Sequence, residues 1–210
     1  MMIPGMGNRV GNHPFSEPSE YPIFGVPLHL VMQYQGKGYI PIVIEKCIRY
    51  IWERRHVEGL FRVSGLQADL KRLIHLFNMG QNPDLEVEAS DPHVVCQLVK
   101  YFFHNLPEPI LTFELYDPLI QTVTIMDQKE RLKAIRKLCD TLPDCNHALL
   151  ESFLVFLGAI AAEESNKMDA KNLAIVFAPS FLRSRENNPE IMLRDMENVK
   201  NILLDIIENH

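Results

Sequence analysis

Apolar residues return at steps of three and four along almost the whole chain, and this period is what most restricts the folds open to it. They stand at Ile40, Ile44, Cys47, Ile48 and Ile51, then at Leu66, Leu70, Leu73, Ile74 and Phe77. The pattern continues through Val94, Val95, Leu98, Val99, Phe102 and Phe103, and ends in Met192, Met196, Val199, Ile202, Leu203 and Ile206. A helix of 3.6 residues per turn collects such positions on one face, whereas a strand alternates them. The spacing predicts helices over 40–55, 66–77, 91–103, 113–122, 131–142, 143–162, 171–178 and 189–206, and no segment reads as a strand. Punctuation agrees: Pro41 suits a first turn, Asp91-Pro92 and Asn188-Pro189 suit N-termini, and Gly80 suits a stop. Leu106-Pro107-Glu108-Pro109 reads as a rigid chain reversal, and Pro179 as the end of its helix. Apolar residues are densest between Pro143 and Ala162, so that helix is expected at the centre of the core. Phe24 to Leu28 reads as an irregular lead-in tucked against the helices. The expected fold class is all-α, a single-domain helical bundle.

At 210 residues and 47% hydrophobic, the chain can fill one full-sized core rather than two. Residues 1–22 are rich in Pro, Gly, Ser and Asn without an apolar period and are expected to form a flexible N-terminal tail or linker; residues 23–210 are expected to form the helical domain. No apolar run reaches the roughly 18 to 20 residues of a bilayer span, and Met1 to Val10 lack the apolar centre of a signal peptide. The expectation is a soluble, cytoplasmic monomer without a transmembrane segment. A net charge of −6 argues against nucleic acid as a partner. Cys47, Cys96, Cys139 and Cys145 are scattered, with no CxxC pair and no histidine at ligand spacing, so they read as reduced thiols and no metal site is expected. The chain has no GxxxxGK[ST] loop, GxSxG elbow or HExxH pair, so it is not expected to bind nucleotide, carry a cofactor or act as an enzyme by itself.

One charged residue stands apart from this helical background. Arg62 lies in Glu58-Gly59-Leu60-Phe61-Arg62-Val63-Ser64-Gly65, between two predicted helices, with a glycine on either side. Gly59 and Gly65 are expected to take backbone angles closed to other residues, while Leu60 and Phe61 anchor the loop in the core. Its guanidinium is permanently charged and has five planar donors, which suit phosphate or carboxylate oxygens. On these residues alone, Arg62 is either a cation offered to another molecule or a surface arginine paired with Glu58 or left in water. Lys100 on an apolar helix reads, by itself, as a lysine reaching for water. Asn172, a poor helix former, reads equally as a partner in an internal hydrogen bond or as part of a contact surface. The acidic stretches Glu163-Glu164 and Glu86 to Asp91 read as solvated connections.

The loop is similar to the arginine-finger loop of the Rho GTPase-activating (RhoGAP) domain family, and further motifs follow in that family's order. Val99 to Leu111, with Lys100 and Leu106-Pro107-Glu108-Pro109, resembles its lysine-bearing helix and LPEP turn. Leu142-Pro143, Asn146 and Leu149-Leu150 resemble the start of its core helix. Asn172-Leu173-Ala174-Ile175-Val176-Phe177-Ala178-Pro179 resembles its NLAxxFxP motif. The resemblance runs from about Phe24 to the C-terminus. It implies a helical bundle of the RhoGAP type with Arg62 as catalytic finger, and Lys100 and Asn172 as partner-binding residues. The implied partner is a GTP-loaded Rho-family small GTPase that itself carries GTP and Mg. The implied role is to switch off signalling of the kind that governs the cytoskeleton, with recruitment to membranes through the GTPase. The other function considered is a non-activating scaffold or effector module with the same fold. The sequence departs from the family at His104, where an arginine usually braces the finger loop, and at Ser180, where asparagine is common. His104, Gly59 and Gly65 are thus the candidate loop supports.

Overall fold

The computed structural model describes residues 22–186 and 188–210, and so leaves the expected tail, apart from Pro22, outside the described residues. Among these residues the chain is all helical. The elements are α1 (Leu28–Gln35), α2 (Ile42–Glu53), α3 (Gln67–Asn78), α4 (Leu85–Glu88), α5 (Pro92–Asn105) and α6 (Tyr116–Thr122). They continue with α7 (Gln128–Cys139), α8 (Asp144–Ala161), a 3-10 turn (Glu164–Asn166), α9 (Ala170–Phe181) and α10 (Pro189–Glu208). Short polar side chains begin many of them. Asp91, Asp127, Asp169 and Asn188 each accept a bond from a first-turn amide that has no partner within its helix.

Helix α8 forms the centre, as the density of its apolar residues implies. It has the length and composition of a membrane span, but Leu149, Leu150, Phe153, Leu157 and Ile160 are buried in the core. Phe153 packs against Phe103 of α5 and against Phe177 and Phe181 of α9, with ring centroids 4.7, 5.3 and 5.9 Å away. Phe61 joins this aromatic cluster from the Arg62 loop, 5.1 Å from Phe177 and 6.1 Å from Phe156. Around this centre α2 and α3 pack on α5, α5 packs on α9, and α10 lies along α9.

Four details differ from the sequence reading. Ile40 is buried but precedes α2, and Pro41 is the residue before the first turn, with an extended ψ of 132°. The lead-in turns into α1, which buries Leu28 and Val31 and ends at Gly36 in the left-handed region. The acidic stretch from Glu86 contains α4, and its carboxylates are not idle: Glu86 pairs with Arg54 and Glu88 with Arg72. Finally, α9 runs through Pro179 to Phe181. Pro179 and Ile175, the residue whose carbonyl loses its helical donor, are both exposed, so water can reach that carbonyl and the helix tolerates the ring.

Candidate functional site

Between α2 and α3 the chain forms a tight loop rather than a free strand of coil. Gly59 sits at φ +75°, and its carbonyl accepts the amides of Arg62 at 3.0 Å and Val63 at 2.9 Å. A Cβ on Gly59 would stand 2.7 Å from a Val63 methyl, so both angle and space require glycine here. Gly65 works differently from the expectation. Its φ is ordinary, but a Cβ would meet the Val94 amide nitrogen at 2.7 Å and a Val94 methyl at 2.5 Å, so glycine lets the loop close onto the start of α5.

Phe61 occupies the left-handed region at φ 65°, a conformation costly for an aromatic residue, and it is fully buried. Two groups hold it: the aromatic cluster around its ring, and Lys100, whose Nζ donates to its carbonyl at 2.7 Å. Cys96 is a buried thiol whose pKa burial pushes up to about 12, so it stays protonated. Burial also draws the Lys100 ammonium below the ordinary lysine range. Lys100 therefore directs its charge inward, to the residue next to Arg62.

With the backbone fixed on both sides, Arg62 projects into solvent. Its guanidinium forms no hydrogen bond or ion pair with any described residue. Glu58 forms its ion pair with Lys167 at 2.8 Å, which holds its carboxyl below the usual glutamate range, and Arg62 acts on it only as a weaker, more distant charge. An exposed guanidinium without a hydrogen bond or ion pair can meet anionic oxygens on another molecule without first giving up an internal partner.

Asn172 lies in the first turn of α9, where its amide is capped by Asp169 and its side-chain Nδ2 makes only a 3.5 Å contact to the Lys167 carbonyl. Through Lys167 and Glu58 it is linked to the base of the Arg62 loop. His104, the candidate brace, is exposed and makes no hydrogen bond to a described residue. Ser180 is buried, with its carbonyl accepting from Arg183 at 3.4 Å. Among the described residues no group of three His, Cys, Asp or Glu side chains could hold a metal ion.

Two residues that sequence reading passed over organise the surroundings. Arg183 donates to the carbonyls of Leu106 and Pro107 and so latches the Leu106–Pro109 reversal from one side, while Asn146 Nδ2 holds the Ile110 carbonyl at 2.9 Å from the other. Asn166 is fully buried beneath the loop, and the Gly59 amide donates to its backbone carbonyl at 2.8 Å. An asparagine in a polar turn is the only signal the sequence offered for it.

The sequence profile of the RhoGAP domain matches residues 41–186. Curated relatives include Rho GTPase-activating protein gacY of Dictyostelium discoideum, 34% identical over 96% of this chain and 28% of the relative. Rho GTPase-activating protein 30 of Homo sapiens is 35% identical over 78% of this chain and 15% of its own length. The chain thus spans less than a third of the curated relatives it matches. Among solved structures, human Rho GTPase activating protein 15 superposes with a TM-score of 0.83 at 29% identity, covering 89% of both chains. The BH domain from Graf, the GTPase regulator associated with focal adhesion kinase, shares the fold, with a TM-score of 0.71 at 24% identity over 80% of this chain and 90% of that one.

Proposed function

Because this chain belongs to the RhoGAP domain family, we propose that it docks on GTP-loaded Rho-family small GTPases and accelerates their GTP hydrolysis, with Arg62 as the group supplied in trans. The observation that carries this reading is the exposed Arg62 guanidinium, unpaired among the described residues, on a loop anchored by Leu60 and Phe61. Phosphoryl transfer spreads negative charge over the transferring oxygens, and a slow GTPase lacks a cation placed to stabilise it. A guanidinium fixed before docking supplies that charge with little reorganisation when the reaction occurs. GTP and Mg belong to the partner; this chain contributes the cation and the surface that orders the partner around it. Asn172, half-buried with one long internal contact, has donor and acceptor capacity left for that surface.

Arg62→Ala is expected to leave fold and affinity largely intact while cutting stimulated hydrolysis by at least about 10²-fold, the scale for losing one charge stabiliser. Single-turnover assays over a panel of GTP-loaded Rho-family GTPases measure this; normal stimulation by the variant would refute the assignment. The same panel decides against the scaffold alternative if the unsubstituted chain stimulates any member. Asn172→Ala is expected to raise the dissociation constant for the GTP-loaded partner, as loss of a contact residue should. Unchanged affinity would remove Asn172 from the interface.

A further inference from the structure

The segment from Glu163 to Lys167 is stitched to the base of the Arg62 loop by a ladder of polar contacts between residues more than a hundred positions apart. The Ser165 hydroxyl donates chiefly to the Glu163 carboxylate at 2.6 Å, with the His56 carbonyl as a weaker second acceptor at 3.2 Å, and Asn166 Nδ2 donates to the Arg55 carbonyl at 2.9 Å. The Gly59 amide donates to the Asn166 carbonyl at 2.8 Å, and Lys167 pairs with Glu58 at 2.8 Å. Asn166 is the hub. Its Nδ2 also donates to the Ile160 carbonyl at the end of α8 at 2.8 Å, while its Oδ1 accepts the Met168 amide at 2.7 Å. Both amide hydrogens and the side-chain oxygen are thus used in a buried setting, which neither aspartate, lacking donors, nor serine, lacking reach, could reproduce.

We infer that this turn, centred on Asn166, is the brace that positions the Arg62 loop, a role that the exposed His104 does not fill; the inference rests on the reading of Arg62 given above. The geometry favours positioning over simple stability because the ladder ends on Glu58 and Gly59, three to four residues from Arg62. Gly59 is also the residue whose carbonyl forms the turn carrying Arg62. The α9 start that bears Asn172 follows the same turn, but Asn172 touches only the Lys167 backbone carbonyl, which side-chain truncation of Lys167 leaves in place.

The test removes the two exposed rungs, Ser165→Ala with Lys167→Ala, from the full chain. The probe is the Rho-family GTPase that the unsubstituted chain stimulates most. Maximal single-turnover hydrolysis is expected to fall about tenfold, less than the roughly 10²-fold that a full 1 Å misplacement can cost. Affinity for the same GTPase loaded with a non-hydrolysable GTP analogue should stay within about twofold. In an Arg62→Ala background the two substitutions should change the rate no further, the non-additivity expected of residues that act through Arg62. An unchanged rate, or an equal loss in the Arg62→Ala background, overturns the inference while leaving Arg62 as the finger. If Arg62→Ala itself has no effect, the functional reading falls first and takes the brace with it. Asn166→Asp keeps the acceptor for Met168 and loses both donors; if folded by circular dichroism yet fully active, it also overturns the proposal.

Discussion

At the scale of single residues, the Arg62 loop shows two glycines meeting different demands. Gly59 is needed for its angle and for the space beside Val63, Gly65 only for its approach to the Val94 amide. Gly59→Ala is expected to cost about 1–2 kcal/mol from the left-handed backbone alone, before the methyl contact is counted. Urea unfolding would measure it, and a loss below a few tenths of a kcal/mol would mean the turn relaxes without cost. The presence of a special loop was legible because a charge bounded by glycines is unusual between amphipathic helices. Its supports were not. Asn166 acts on Arg55 and Gly59 across a sequence separation of more than a hundred residues, and the polar stretch around it looks locally like any solvated turn. The inward aim of Lys100 was hidden too, since an isolated lysine on an apolar helix gives no sign of which carbonyl lies within its reach.

At the scale of elements, the long amphipathic helices were readable because each buries enough apolar surface to dominate its own pattern. Helix α1 was not, with only Leu28 and Val31 buried, and neither was the four-residue α4. The path of α9 through Pro179 depends on Ile175 facing water, a tertiary fact that the local rule for proline does not contain. Just beyond that helix, Arg183 ties the Leu106–Pro109 reversal to the end of α9, reinforced by the Leu111 amide donating to the Phe181 carbonyl at 3.1 Å. Burial draws the Arg183 guanidinium below the ordinary arginine range, yet its carbonyl partners keep it satisfied. Arg183→Ala is expected to cost about 1–3 kcal/mol by leaving the Leu106 carbonyl short of a donor. A thermal melt of the variant checks this, and an unchanged midpoint would show that water replaces the guanidinium at the reversal.

At the scale of the whole molecule, the aromatic cluster joins α5, α8, α9 and the Arg62 loop into one packed unit, while α10 closes the far side through a polar contact of its own. Tyr116 of α6 donates to Asp195 of α10 at 2.8 Å, and Asp195 is buried although its ionic partner Arg194 is exposed. The bond to Arg194 holds the Asp195 carboxyl below the usual aspartate range, and burial pushes the Tyr116 hydroxyl up, so Tyr116 remains a donor wherever Asp195 is charged. A carboxyl whose pKa is lower folded than unfolded binds fewer protons in the native state, so it adds stability above the unfolded value of about 3.9. That contribution is lost as pH falls through the folded value. Asp195→Asn keeps the shape and an acceptor for Tyr116 but removes the titration. The native chain should therefore exceed the variant in urea midpoint at pH 7, with the gap closing as the pH drops below about 4. A gap that stays constant between pH 7 and pH 2.5 would assign the Asp195 contribution to packing and neutral hydrogen bonding, and would separate the attachment of α10 to α6 from acid unfolding of the domain.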